Sequence, residues 1–299
     1  MTKTQHGIVA CVIGATTWGF NGVVSQFLLS HYPVEPSWLA SIRMCLAGLF
    51  LTLMVLPTKR AEIRQMLHDP VSLRHLVLFA LFGLILSQFS YLSAIKNSNA
   101  GTATVLQTLS VVLMSLYLAV RFHKRPTGRE ILSVFLAFGG VYLAATNGNP
   151  STMVISPLGL TWGLIGAIAC VTYPVLSQGL AANWGAAVAN GLGMIIGGVF
   201  LSLTLQVWTV WPALDLTGWL AVAFIVIIGT ALSFTAFVTG ISEIGPMKAT
   251  LLGTLEPVVA SVTSAIALGT TFHTVELIGY ACIIATVFII ILQKKPAIS

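Results

Sequence analysis

Apolar residues run in long blocks along this chain, and polar residues fall in short clusters between them. A helix of about 20 apolar residues crosses roughly 30 Å of hydrocarbon. The blocks predict ten such spans, at approximately 7–30, 37–57, 73–95, 100–122, 129–146, 158–180, 186–206, 216–241, 247–268 and 274–293. Helix breakers stand in several connections: Pro33 and Pro36, Pro150 and Pro157, Pro212, and Gly245 with Pro246. Thr127-Gly-Arg-Glu130 reads as a capping box that opens the fifth span. The first block follows MTKTQHG, is longer than a signal-peptide core and lacks an A-x-A cleavage pattern before the next apolar segment, so it reads as a retained helix.

The pattern repeats. At an offset of 146 the third-to-fourth-span region matches the eighth-to-ninth without a gap, through Ser87/Ser233, Ile95/Ile241, Ala103/Ala249, Thr104/Thr250, Thr108/Thr254, Val112/Val258 and Ser115/Ser261. The register continues to Glu130/Glu276 and Val141/Val287. At an offset of 152, Ile13-Gly-Ala15 matches Ile165-Gly-Ala167, and Ser25-Gln26 matches Ser177-Gln178. Each half holds five spans, 7–147 and 157–293. Five is odd, so the second half enters the membrane from the opposite side. The expected fold is an all-α integral membrane protein with ten transmembrane helices in two inverted five-helix repeats. In such folds the binding site lies near the midplane, between the halves.

Composition sharpens this picture. Charged residues make up 7% of the 299 and hydrophobic ones 57%, against about 25% charged in a soluble domain. The net charge of +6 is no nucleic-acid signal, because the basic residues sit in short connections rather than on one patch. With the N-terminus in the cytoplasm, twelve of the fourteen fall inside: Lys3, Lys59, Arg60, Arg64, Arg74, Arg121, Lys124, Arg125, Arg129, Lys248, Lys294 and Lys295. Lys96 falls outside and Arg43 within a span. The asymmetry places both termini in the cytoplasm of a multi-pass cell-membrane protein. Trp38, Trp162, Trp184, Trp208, Trp211 and Trp219 lie near span ends and read as an aromatic belt, whereas Trp18 sits midway along the first span. The six histidines mostly lie near span ends and read as interfacial. Cys11, Cys45, Cys170 and Cys282 all lie in apolar runs, without metal-ligand spacing and with nothing to imply disulfides. No metal and no cofactor is called for.

Several motifs carry a family likeness. They are Thr17-Trp18-Gly19 in the first span, Ser41-Ile-Arg43-Met-Cys-Leu-Ala47 in the second, Leu255-Glu256-Pro257-Val258 in the ninth, and Glu276-Leu-Ile-Gly279 opening the tenth. With the two halves, they make the chain resemble the drug/metabolite transporter superfamily, of the EamA type, over nearly its whole length. The resemblance implies export or exchange of small metabolites, often amino acids, through a central cavity, with spans five and ten peripheral. The chain departs from the family at Val111, where the counterpart of Pro257 is expected to be proline, and in lacking an acidic residue after the fourth and ninth spans. The fourth span is therefore expected to bend less than the ninth, which should bend at Gly253–Pro257, the two crossing near the centre.

Glu256 is the candidate with the sharpest chemistry. A carboxylate at a helix centre costs about 2.5–3.5 kcal/mol on insertion scales, so it must meet a partner, face a polar cavity or carry a proton. Pro257 removes a backbone donor and displaces the Gly253 carbonyl, which bends the helix beside the carboxylate. Arg43, about 9 Å from the outer end of its helix at 1.5 Å per residue, could hold a substrate carboxylate, pair with Glu256 or snorkel to the interface. Further candidate cavity residues are Trp18, Asn21, Gln88, Tyr91, Gln107, Tyr173, Asn190 and Phe234. Cys170 and Phe237 share their stripes. Any one of them could equally make an ordinary interhelical contact; their collection on spans one to four and six to nine is what points to a lined cavity. Gly193 and Gly197 read as a close helix contact, and Glu130 and Glu276 as charges suited to helix starts.

The chain is not expected to be an enzyme: it shows no P-loop and no H-E-x-x-H, and Glu256 has no acidic partner deep in a span. The expected function is secondary transport of small organic, amphipathic metabolites, by export or exchange through alternating access. A non-transporting receptor or scaffold is the alternative. The expected partners are a small-molecule substrate and the lipid bilayer, with a homodimer left open and nucleic acid excluded.

Overall fold

The computed structural model describes residues 2–121, 127–149, 154–244, 252–253 and 255–291. Among them no strand forms. The helices are α1 (Lys3–His31), α2 (Pro36–His68), α3 (Pro70–Asn97), α4 (Ala100–Arg121), α5 (Gly128–Thr146), α6 (Pro157–Trp184), α7 (Ala186–Leu205), α8 (Leu216–Val226, continued through Ile227–Leu232 and Ser233–Ile244), α9 (Leu255–Leu268) and α10 (Thr274–Ile291). Seven of them are long and apolar enough to cross a membrane; α5, α9 and α10 offer shorter apolar stretches. The Ser151–Met153 connection, Lys124, Arg125, Gly245, Pro246, Lys248, Lys294, Lys295, Thr254 and the side chains of Glu130 and Gln178 lie outside the described residues. So, then, do the Glu130 capping box and the junction at which the ninth span was expected to bend.

Polar residues set where the helices begin. Thr2 and Gln5 form a reciprocal capping box on α1, and the side chains of Asp69, Asn99, Ser156 and Asp215 accept first-turn amides of α3, α4, α6 and α8. Asp215 also accepts the Tyr32 hydroxyl at 2.6 Å. That hydrogen bond, with the Gly218 amide, holds the Asp215 carboxyl below its usual range.

Cross-contacts sort the helix ends into two sets. At one end Tyr32 meets Asp215, Ser156 donates to Asn97, Lys96 donates to the Leu29 and Val34 carbonyls, and Gln26 donates to Thr270. At the other, His6 meets Glu243 and Trp184 donates to Ser72. So α1 runs toward the end at which α6 begins, and the leading helices of the two halves are antiparallel. The packing has the matching symmetry. α2 lies on α7, α4 on α9 and α5 on α10; α1 packs on α8 and α9 as α6 packs on α3 and α4. Exchanging each helix with the one five places on carries this set of pairings onto itself.

Small residues allow the closest contacts. A Cβ at Gly48 of α2 would lie 2.7 Å from the Ile195 amide nitrogen and 2.8 Å from the Gly191 carbonyl of α7. Gly193 and Gly197 also face side chains of α2 and α3, as a close contact requires.

Two features depart from expectation. The fourth span is interrupted without a proline. Between Gln107 and Ser110 the amides of Leu109 and Val111 bond three residues back, and the Thr108 hydroxyl caps the Val105 carbonyl at 2.7 Å. A hydroxyl that competes for the backbone can break a helix that sequence leaves continuous. Trp38 is no belt residue either. It is 1% exposed and packs edge-on against Trp211 at 5.5 Å, because α2 begins beneath the α7–α8 connection. Trp208 and Trp211 keep the exposed position expected of a belt.

Candidate functional site

The centre of the bundle is organised by two wide turns. π-helical segments interrupt α3 at Phe79–Ile85 and α8 at Ile227–Leu232. The 146-residue register carries one almost onto the other and pairs Gly83 with Gly229. In each, a glycine admits a helix from the opposite half: Gly229 accommodates the Asn21 side chain of α1, and Gly83 lies under the Tyr173 backbone of α6. Asn21 and Tyr173 are themselves equivalent in the 152-residue register. A wide turn also frees carbonyls. Phe82 accepts the Thr172 hydroxyl at 2.7 Å, and its counterpart Ile228 accepts Ser233 at 2.6 Å.

On this frame the aromatic candidates meet. Trp18 packs on Phe234 at 4.9 Å and on Phe237 at 4.6 Å. Phe234 reaches Tyr173 at 5.9 Å, and Tyr173 donates to the Asn190 side-chain oxygen at 2.9 Å. Along the same side of α1, a Cβ at Gly19 would lie 2.9 Å from the Glu256 carbonyl oxygen, and Gly22 rests against the Tyr91 hydroxyl.

Arg43 completes the group. It is 3% exposed, so it does not snorkel. Its guanidinium lies within electrostatic range of Glu256 and Tyr91. Yet among the described residues no ion pair within 4.0 Å joins Arg43 to Glu256. Arg43 and Glu256 face one neighbourhood without a contact pair. Among the described residues, Arg43 Nε and Nη1, the Tyr91 hydroxyl, Trp18 Nε1, Asn21 Oδ1 and Ser25 Oγ are buried without a hydrogen-bond partner. Buried polar atoms are nearly always satisfied, so such a concentration marks a place where polar contacts are left open.

The remaining candidates lie differently. Gln88 is buried on α3, one turn before Tyr91. Gln107 sits where α4 meets α6, its amide nitrogen 3.2 Å from a Cβ position on Gly166. Among the described residues no hydrogen bond joins it to Arg43 or Glu256, and the α4–α6 seam accounts for it. Glu276 holds to its helix-start role: it accepts the His273 amide and the Tyr280 hydroxyl, and Tyr280 reaches Thr102. The α5–α10 pair thereby stays at the margin but is tied to α4.

Positional equivalence is the part that sequence reasoning missed. Trp18 matches Cys170, Gln88 matches Phe234, Tyr91 matches Phe237, and Ser110 matches Glu256. The duplicated backbone presents corresponding positions to one centre, but the residue chemistry has diverged. At Gln88/Phe234, Tyr91/Phe237 and Ser110/Glu256 the first half supplies an amide or hydroxyl where the second supplies a ring or the carboxylate, whereas at Trp18/Cys170 the ring lies in the first half. Gly83 and Gly229, identical in register, were the available signal for the wide turns.

Taken together, the fold and this centre define a multi-pass membrane protein made of two homologous, inverted halves around a polar-and-aromatic core. The chain belongs to the EamA-like transporter family, whose model matches residues 5–146 and 157–292. It is therefore a membrane transporter of the cell membrane. It is 30% identical over 295 residues to the uncharacterized inner membrane transporter YicL of Salmonella typhimurium, covering 99% of this chain and 98% of that one. It is 25% identical to the uncharacterized inner membrane transporter YedA of Escherichia coli K12 (94% and 91% covered) and to the uncharacterized transporter YyaM of Bacillus subtilis (87% of each). A solved crystal structure with 18% sequence identity superposes with a TM-score of 0.62 over 96% of each chain, a likeness of fold.

Proposed function

We propose that the chain is a secondary transporter that moves small amphipathic organic metabolites by alternating access, in export or exchange. One observation carries this: Arg43, Tyr91 and Glu256 lie within electrostatic range of one another beside the half-buried Trp18–Phe234–Phe237 rings, yet among the described residues no ion pair within 4.0 Å joins Arg43 and Glu256. Arg43 offers a planar fork to an anionic or carbonyl group. Glu256 and Tyr91 offer oxygen partners, and the rings take the apolar part. Asn190 orients Tyr173. The wide turns in α3 and α8 are where these helices can flex. Counterflow in proteoliposomes tests the reading. Liposomes preloaded with one metabolite should accumulate its radiolabelled form, and liposomes without protein should not. A panel of amino acids and related amphipathic metabolites that gives no counterflow would leave the scaffold alternative standing.

In this reading ten helices cross the membrane and both termini face the cytoplasm, as the twelve-to-one basic asymmetry favours. In a variant without the native cysteines, Ser151→Cys should react with an impermeant maleimide from outside intact cells, and Arg64→Cys only after permeabilisation. The reverse pattern would refute the orientation.

A further inference from the structure

α2 does not stop where its apolar run ends. It kinks at Lys59 (φ −122°, ψ 20°) and continues to His68. Ile63 and Met66, at 8% and 0% exposure, dock this extension against the bundle. Arg60, Arg64 and His68, spaced four residues apart, share one open face of the extension with Ala61 and Gln65. Three neighbouring charges are engaged elsewhere. Lys59 pairs with Glu62 at 2.8 Å, and Asp69 caps α3 through the Val71 and Ser72 amides. Among the described residues neither Arg60 nor Arg64 makes an ion pair.

Apolar residues flank these arginines on the exposed surface. Leu53 (56% exposed) and Leu56 come before them, and Leu67 and Val71 (62%) after. A helix end bathed in water has no reason to show this interleaving. It is what a segment presents when it lies along a bilayer at headgroup depth, with its stems and leucines in the acyl boundary. Basic residues placed directly at that boundary attract anionic headgroups, and a guanidinium meets a phosphodiester with two parallel hydrogen bonds.

We propose that Arg60, Arg64 and His68 form a site for one anionic phospholipid, its phosphodiester between the two guanidinium groups and its acyl chains along Leu53 and Leu56. This site is separate from the central one and holds for either orientation of the chain. Native mass spectrometry of the full-length protein, supplied with equal phosphatidylglycerol and phosphatidylcholine, tests it. The parent should retain phosphatidylglycerol preferentially. The double variant R60Q/R64Q should lose that preference by roughly thirtyfold, from about 1 kcal/mol for each arginine. R129Q, a charge change elsewhere, should keep it. Equal retention of both lipids by the parent, or an unchanged preference in the double variant, would overturn the proposal. Displacement of the lipid by inorganic phosphate alone would also overturn it, by showing an ion site. If the double variant melts below the parent, salt carries the test: the parent's preference should fall as ionic strength rises, and a salt-independent preference counts against the site.

Discussion

Glu256→Gln is expected to fold like the parent and to lose counterflow by roughly 10- to 150-fold, since a hydrogen bond to a charged group contributes about 1.5–3 kcal/mol. The substitution keeps the shape and removes the charge. Were Glu256 the locked partner of Arg43, removing its charge would strand a buried cation and cost about 3–5 kcal/mol of stability. The absence of an ion pair between them within 4.0 Å among the described residues argues against that lock. The measurement is a melting curve and a counterflow rate on the same purified variant. A melting point that falls together with the rate would restore the lock. A variant that melts and transports like the parent across pH 5–8 would remove Glu256 from both roles.

Arg43→Lys should be nearly as damaging to transport, although it keeps the positive charge. Among the described residues Nε and Nη1 of Arg43 are buried without a partner, and a lysine ammonium cannot reproduce a planar fork. Loss of one of two charge-assisted contacts should lower counterflow at subsaturating solute by about tenfold, at about 1.5 kcal/mol. The melting temperature should change little. Arg43→Gln, which also removes the charge, should lie lower still. If Arg43→Lys transports like the parent, a point charge suffices and the fork plays no part. If both variants unfold early, Arg43 belongs to the scaffold rather than to the site.

The sequence by itself determined the class of this protein. Apolar blocks of membrane-spanning length have no stable place in water, and two internal registers leave only a duplicated architecture. It also singled out Arg43 and Glu256, because a charge within a hydrophobic run is costly enough to need a reason. Tertiary structure decided what depends on contact across helices. Thr108 breaks α4 through its own hydroxyl and the local amides, a competition that a proline-based reading passes over. Trp38 is buried because α2 starts beneath a neighbouring connection, which its position at a span end does not reveal. Gln107 and Gln88 look alike in sequence, yet one lies in the α4–α6 seam and the other beside Tyr91. The wide turns at Gly83 and Gly229 are where Tyr173 and Asn21 approach from the opposite half, a contact that no single stretch of sequence shows. One stretch of sequence records its own periodicity; the direction a side chain takes among packed helices is set by the helices around it.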